Sequence, residues 1–434
     1  MGVIDFLTEK WKNNPNPFLV HPNGEFKFKD ILDYSGQELD YLGPGDVVAL
    51  IGDFDPETIA ILIKLIDLKA IIVPLTKETR DQHDYFFKAA NVMYVIENSK
   101  VEKKDILRKK NDLFSKLERE NEGGLVLFSS GTTSDPKAIL HNLDTLMKRF
   151  RTPRPTLRTI NFLLFDHIGG LNTLFHTLFN LGVVIVPENR RISTILNTCK
   201  KHHVELLPTT PTFLRLLLLS GMVPGKIPDS IKLVTYGTER MDQNTLTRLC
   251  DLLPNVDFRQ TYGMSELGIF RIKSESRDSL YMKVGGEGIK TRIADNVLEI
   301  HSENKMEGYL NANSPFDKNG WYNTGDIVDV KGEFIQITGR NNELINIGGL
   351  KFMASEVEKE VLKFNGIKFA TIIAKKNPIT GQHIELIIEE NIKDDIIIED
   401  IREFLHERLP KHMMPSKIKI KNIKYSHRFK KKGI

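Results

Sequence analysis

The strongest constraint on how this chain can fold is a repeated alternation of short, continuous apolar runs with longer stretches of helical spacing. Asp46-Val47-Val48-Ala49-Leu50-Ile51-Gly52 is too short for a helix and apolar nearly throughout, the pattern of a strand buried on both faces. Residues 57–69 carry helical periodicity, and Ala70-Ile71-Ile72-Val73-Pro74-Leu75 returns to strand. The rhythm continues through 159–165 (strand), 171–181 (helix), 183–187 (strand), 192–203 (helix), 205–208 (strand), 211–219 (helix) and 231–236 (strand). Strands joined through helices pair in parallel, because the crossover returns each strand in the same direction. A large α/β body built on parallel sheets follows.

After about Gly285 the pattern changes to short strands and turns, as at 296–301 and 333–337. From Ser355 a compact α+β segment is expected. Ser355 and Glu358 read as a capping box opening a helix to about Phe364, with strands near 369–374 and 383–389 and a helix over 398–409. A boundary near 339–342 gives two domains, a large body over 1–339 and a small one over 340–434.

Composition excludes several classes. Hydrophobic residues make up 40% and charged residues 27%, too apolar for a disordered chain. The densest apolar stretch, 214–219, is broken by Arg215 and falls far short of the roughly 18 residues that span a bilayer. The N-terminal Met1-Gly2-Val3-Ile4-Asp5-Phe6 meets an acid at once, unlike a secretory signal. Cys199 and Cys250 are expected as two buried thiols, and a cytoplasmic location follows. The net charge of +4 hides an asymmetry, since the last 34 residues hold 11 Lys/Arg against two acids. Such a tail suits nucleic acid, a membrane surface or a phosphate-rich ligand. The tail lacks the interleaved aromatics of an RNA-binding segment, so no nucleic-acid partner is expected.

The most informative segment is Leu125-Val126-Leu127-Phe128-Ser129-Ser130-Gly131-Thr132-Thr133-Ser134-Asp135-Pro136-Lys137-Ala138. An apolar strand runs into small hydroxyl residues, a glycine and a lysine. Backbone N–H groups, hydroxyls and one cation are what polyphosphate oxygens need. Pro136 precedes the lysine where a P-loop requires Gly, and Ala138 follows where it requires Ser or Thr, so this is a different phosphate loop.

Ser-Ser-Gly-Thr-Thr-x-x-Pro-Lys resembles the phosphate loop of the adenylate-forming superfamily, which includes acyl-CoA synthetases and nonribosomal adenylation domains. Further motifs similar to that family appear in order. Thr261-Tyr262-Gly263-Met264-Ser265-Glu266 resembles its Tyr-Gly-x-Thr-Glu motif. The resemblance implies that Tyr262 stacks on adenine, Ser265 approaches the α-phosphate, Glu266 helps hold Mg²⁺, and Gly263 lies near the substrate. Upstream, Gly237, Thr238 and Glu239 stand where the family lines the adenine pocket. Thr324-Gly325-Asp326 resembles its ribose-binding Thr-Gly-Asp, in which Asp326 accepts from vicinal hydroxyls. The segment from Gly339 to Lys351 resembles the family's hinge, with Arg340 toward the nucleotide and Asn342 at the pivot of a mobile small domain.

Departures accompany these matches. Ser134 and Ala138 replace common glycines, the region before the phosphate loop is short, and Phe429 stands where the catalytic-lysine motif has Gly. Lys430 is the expected catalytic lysine, with Lys431 and Lys432 as rivals, and Leu409-Pro410-Lys411-His412-Met413-Met414-Pro415 supports the register. The implied activity is ATP- and Mg²⁺-dependent activation of a carboxylic acid as an acyl-adenylate. Transfer to a thiol follows, either coenzyme A or the pantetheine of a carrier protein. Phe165-Asp166-His167-Ile168-Gly169-Gly170 leaves the substrate open. Phe165 and Asp166 resemble amino-acid-activating members, His167 and the glycines resemble acyl- or aryl-activating ones, and Asp166 as a helix cap is the plain alternative. Phe429 keeps a catalytically silent, nucleotide-binding homologue in view.

Overall fold

A computed structural model describes residues 2–34, 39–105, 111–129, 135–390 and 398–421. Two seven-stranded sheets dominate. The first runs Asp257–Gln260, Leu233–Tyr236, Leu206–Thr209, Thr159–Ile160, Val184–Ile185, Leu19–His21, Gly24–Phe26, and is parallel except for the last hairpin. The second runs Gly308–Tyr309, Ala138–Asn142, Gly124–Phe128, Ile71–Leu75, Val47–Ile51, Tyr94–Glu97, Lys100–Lys103, with a parallel centre and antiparallel edges.

The helices Pro56–Asp67 and Ile168–Phe179 lie between these sheets and share one core with both. This explains why both are apolar around most of their circumference, because a helix covered on two sides keeps only a narrow polar stripe. The outer faces are closed separately. Ile192–Lys201, Pro211–Leu219 and Gln243–Leu252 cover the first sheet, and His83–Ala89 with Asp112–Glu120 covers the second. A six-stranded antiparallel sheet follows, in the order Arg271–Ser274, Met282–Gly285, Phe334–Arg340, Trp321–Lys331, Val297–Ser302, Ile289–Ala294. The last core gathers Ile345, Val357, Ile384, Leu405 and Ile418 around a three-stranded sheet, Ile367–Asn377, Gly381–Glu390 and Lys417–Ile420. The α/β architecture thus agrees with expectation.

Several local readings need correction. The strand expected over 159–165 pairs only at Thr159–Ile160, where Asn161 turns its amide to the Gly170 carbonyl. The antiparallel sheet begins at Arg271, earlier than the change near Gly285. The helix expected from Ser355 starts at Ala354, because the strand Leu350–Met353 feeds directly into it. The capping carboxylate is Glu356, which accepts from the Met353 N–H at 2.9 Å. Ser355 instead donates to the Thr338 carbonyl and Glu358 accepts from the Ile372 N–H. Cys199 is buried and its thiol is pushed up to about 12 by burial, whereas Cys250 is only half-buried. Among the described residues no helix is long and apolar enough to cross a membrane.

Arg215, the charge that interrupts the apolar run, has a structural reason. Its Nε donates to Asp242 Oδ2 at 2.9 Å, and Asp242 also caps the helix Gln243–Leu252 through Thr245 N–H at 2.8 Å. Burial works against the Asp242 carboxylate, but Arg215 and the Thr245 donors outweigh it and hold its pKa below the ordinary value. Asp242→Ala should therefore lose about 2 kcal/mol, a cap plus one charged hydrogen bond, measured by urea unfolding at neutral pH. A depressed carboxylate contributes stability above its unfolded pKa of about 3.9 and loses it as pH falls through the folded value. The difference between wild type and variant should be full above roughly pH 4 and shrink below it.

Candidate functional site

The carboxyl ends of the parallel strands in the first sheet carry polar side-chain atoms left without a partner among the described residues. These are Asn161 Oδ1, Thr209 Oγ1 and Gln260 Oε1, all buried. This is the edge at which open α/β sheets take ligands. Next to it, the backbone is packed too tightly for side chains at two glycines. A Cβ on Gly237 would lie 2.1 Å from Thr261 Oγ1 and 2.7 Å from the Thr261 carbonyl oxygen. One on Gly263 would lie 2.5 Å from the Gly268 carbonyl oxygen. Thr238 adopts φ +69°, a left-handed conformation that a β-branched residue rarely takes, and such strain gathers at ligand sites.

The phosphate-loop segment springs from the fully buried strand Gly124–Phe128. Its neck is closed by Ser129, whose N–H donates to the Lys137 carbonyl at 3.0 Å and whose Oγ accepts from the Lys137 N–H at 2.9 Å. Ser130, Gly131, Thr132 and Thr133 lie outside the described residues. The Lys137 ammonium sits 4.8 Å from the centre of the Tyr309 ring, and the Tyr309 hydroxyl donates to Glu266 Oε1 at 2.8 Å. Tyr322 stands close to both Tyr309 and Glu266. Burial first, then the Glu266 carboxylate, raises both phenols above their ordinary values, so both stay protonated. Ser265 is held from behind, since the buried His141 contacts its carbonyl through Nε2 at 2.5 Å. Burial lowers the His141 pKa, which keeps the ring neutral with its N–H on that carbonyl.

The second half of the site centres on Asp326, only 2% exposed. Tyr262 donates to its Oδ2 at 2.6 Å and Arg340 Nε donates to its Oδ1 at 2.9 Å. Burial and the Asp326 charge push the Tyr262 phenol well above its ordinary value, which fixes it as a donor. Each Asp326 oxygen keeps a second lone pair for an incoming hydroxyl. Tyr322 links the halves, because its phenol is affected by both Glu266 and Arg340.

The remaining expected residues are placed in different ways. Glu239 is already engaged, accepting from Thr212 N–H at 3.2 Å and Thr212 Oγ1 at 2.6 Å in the first turn of Pro211–Leu219. Phe165 is fully buried against Phe54 at 5.5 Å and packs as a core side chain. His167, not Asp166, caps the helix Ile168–Phe179, its Nδ1 accepting from Gly169 N–H at 3.1 Å, while Asp166 is buried beside it. Asn342 lies in the single turn Asn341–Glu343 after Arg340. Lys430, Lys431 and Lys432 lie outside the described residues. His141, Tyr309 and Tyr322 were not anticipated. Tyr309 arrives through the pairing of Gly308–Tyr309 with Ala138–Asn142, which no local pattern announces.

Glu266 fits a magnesium ion that also takes phosphate and water, because Mg²⁺ uses one or two carboxylates and keeps the rest of its shell from substrate and solvent. Among the described residues no group of three or more His, Cys, Asp or Glu forms a cage of its own.

Three comparisons bear on this geometry. A family model described as AMP-binding enzyme matches residues 42–310. The chain is 24% identical over 314 residues to 4-coumarate–CoA ligase 3 of Oryza sativa subsp. japonica, covering 64% of this chain and 56% of the ligase. It is 25% identical over 328 residues to bacitracin synthase 3 of Bacillus licheniformis, covering 67% of this chain and 5% of the synthase. Both relatives are thus matched over less than two thirds of their own length. The ATP-bound crystal structure of MatB from Rhodopseudomonas palustris shares the fold, with a TM-score of 0.81 at 18% identity over 100% of this chain and 97% of that one.

The two donors on Asp326 differ in burial, and that difference is testable. Tyr262→Phe removes a buried bond to a charged group and should cost about 1.5–3 kcal/mol by urea unfolding. Arg340 is 59% exposed in its side chain, so Arg340→Gln should cost at most about 1 kcal/mol. Equal losses would show that Asp326 is not the buried hub described.

Proposed function

Because the chain belongs to the AMP-binding enzyme family, we propose that it activates a carboxylic acid with ATP and passes the acyl group to a thiol. A carboxylate oxygen attacks the α-phosphorus and the bond to pyrophosphate breaks. The thiol sulfur then attacks the acyl carbonyl, releasing AMP and a proton. The observation that carries this reading is two polar groups, Lys137–Tyr309–Glu266 and Arg340–Asp326–Tyr262, with Tyr322 in the field of both. They offer a cation and a hard carboxylate to phosphates at one end and a buried carboxylate to a diol at the other.

In this reading Lys137 and residues 129–133 bind the β- and γ-phosphates, and Asp326 orients the ribose. Tyr262 sets the adenine plane, and Gly237 and Thr238 form the wall beside the base. Glu266 holds Mg²⁺, which when bound neutralises charge on the departing pyrophosphate. Residues 340–434 rotate about Asn342 between the two half-reactions, and Lys430 reaches the reacting carboxylate only in the first. Orientation and preorganised charge supply most of the acceleration.

An acyl or aryl acid is the proposed substrate and coenzyme A the proposed acceptor. The likeness to a 4-coumarate–CoA ligase supports this, and so does the burial of Asp166, which an amino-acid substrate needs as an open partner for its ammonium. The likeness to a bacitracin synthase is the ground for testing amino acids and a carrier-protein thiol alongside.

ATP–pyrophosphate exchange across a panel of aliphatic, aromatic and amino acids tests the reading. Exchange with an acyl or aryl acid is expected, and its absence with every acid would leave a nucleotide-binding protein without this chemistry. Lys430→Ala should lower exchange by about 10²–10³, the scale of one electrostatic contact made in the transition state. Transfer from preformed acyl-adenylate to coenzyme A should barely change. Lys431→Ala and Lys432→Ala, measured separately, decide the register that Phe429 leaves open.

A further inference from the structure

The helix Ile168–Phe179 is apolar and buried around most of its circumference, yet Asn172, Thr173 and His176 are only half-buried. With Gly169 and Asn180 they fall at i, i+3, i+4, i+7 and i+11, which places them along one side of the helix. This polar stripe starts beside His167 and ends at a cluster of cations.

Arg149, on the helix Leu143–Arg151, reaches the hairpin Gly263–Met264/Gly268–Ile269 and donates to the Ile269 carbonyl at 2.6 Å. That bond occupies one of five guanidinium N–H groups. Arg154 is fixed beside the far end of the stripe, since its backbone N–H donates to Asn180 Oδ1 at 2.7 Å. Asn180 in turn donates to the His176 carbonyl at 2.8 Å. Arg271 begins the strand that follows the hairpin and is exposed, so the cluster opens to solvent there.

Burial first, then Arg154 and Arg271, lowers Arg149 to about 10, and burial with Arg271 lowers Arg154. Burial, then Arg154 and Arg149, lowers His176 against the raising effect of the nearby Pro155 carbonyl. Among the described residues no carboxylate offsets the field at Arg149 or Arg154. Like charges gathered in a partly desolvated place are unfavourable until an anion joins them, and guanidinium groups match carboxylate geometry well.

We infer that Arg149, Arg154 and Arg271 form a subsite for a second carboxylate on the acid that this chain activates, making the substrate a dicarboxylic acid. The inference rests on the acid-activation reading above. Gly169 marks the reacting end and His176 the remote end, seven residues apart, so the two carboxylates stand roughly 10 Å apart along the helix. Asn172 and Thr173 flank the path between them.

Pyrophosphate exchange by the full chain, compared between straight-chain dicarboxylic acids of graded length and monocarboxylic acids of matching length, tests this. A dicarboxylic acid of preferred length should have the higher kcat/KM. Arg149→Gln, Arg154→Gln and Arg271→Gln should each lower the diacid-to-monoacid ratio by roughly tenfold to a hundredfold, the loss of a hydrogen bond between charged groups. Arg271 is exposed, so its variant keeps the test informative if Arg149→Gln does not fold. A wild type that prefers monoacids, or ratios unchanged in the Arg154 and Arg271 variants, overturns the subsite while leaving acid activation standing. An increase in the KM for coenzyme A with the acid ratio unchanged also overturns it, because the cluster then serves the acceptor. If no acid supports exchange, activation fails and thermal stabilisation of the nucleotide-free chain decides the subsite alone. Stabilisation by a diacid over its monoacid, lost in Arg271→Gln, supports it, and equal response to both overturns it.

Discussion

A parallel sheet has to be covered on both faces, and this chain meets that requirement twice with one shared layer of helices. Pro56–Asp67 and Ile168–Phe179 are packed from both sides, so neither sheet can shift without opening the other's core. The arrangement fixes where the strand ends lie, and with them Gly237, Thr261 and the start of the hairpin at Gly263. Site geometry is therefore a consequence of apolar packing some distance away. The polar groups at the edge do not need to hold the body together and are free to face a ligand.

Asp326 plays a different part, because it adds a polar tie between segments that a separate apolar cluster of Tyr262, Phe270, Val328 and Ile335 already packs together. Tyr262 leads into a hairpin beside the first sheet, whereas Asp326 and Arg340 lie on paired strands of the antiparallel sheet. A buried carboxylate bound by donors from both gives the two regions a common reference point. Arg240 extends the connection by donating to the Thr338 carbonyl, one residue before Gly339. The strand leading to Asn342 is thus anchored on the body side up to that point.

Much of this was legible in the sequence wherever the cause was local. Buried strands read as apolar runs, and the segments around Ser129, Tyr262, Asp326 and Arg340 read as motifs because their residues are contiguous. What escaped was produced by pairings between distant segments. Tyr309 meets Lys137 only because Gly308 pairs with Leu140, and His141 meets Ser265 across 124 residues of chain. The Ser355–Glu358 pattern misled for the opposite reason. It is a sound local signal, but the incoming strand had already set the helix start, and Glu356 stood at the position that start required. Phe165 shows the same limit, since a motif gives its place in the chain while packing against Phe54 decides which way the ring faces.

The pairing of Leu19–His21 with Val184–Ile185 has a consequence for synthesis on the ribosome. At about 5–20 residues per second, the first strand emerges roughly 8–30 s before its parallel neighbour exists. In that interval its companion is the short hairpin strand Gly24–Phe26, and Leu19 and Val20, buried in the finished fold, stay open to water or to other nascent chains. The N-terminal strand is thus a point where newly made copies of this chain are exposed to wrong partners, and where a holding chaperone would be of most use.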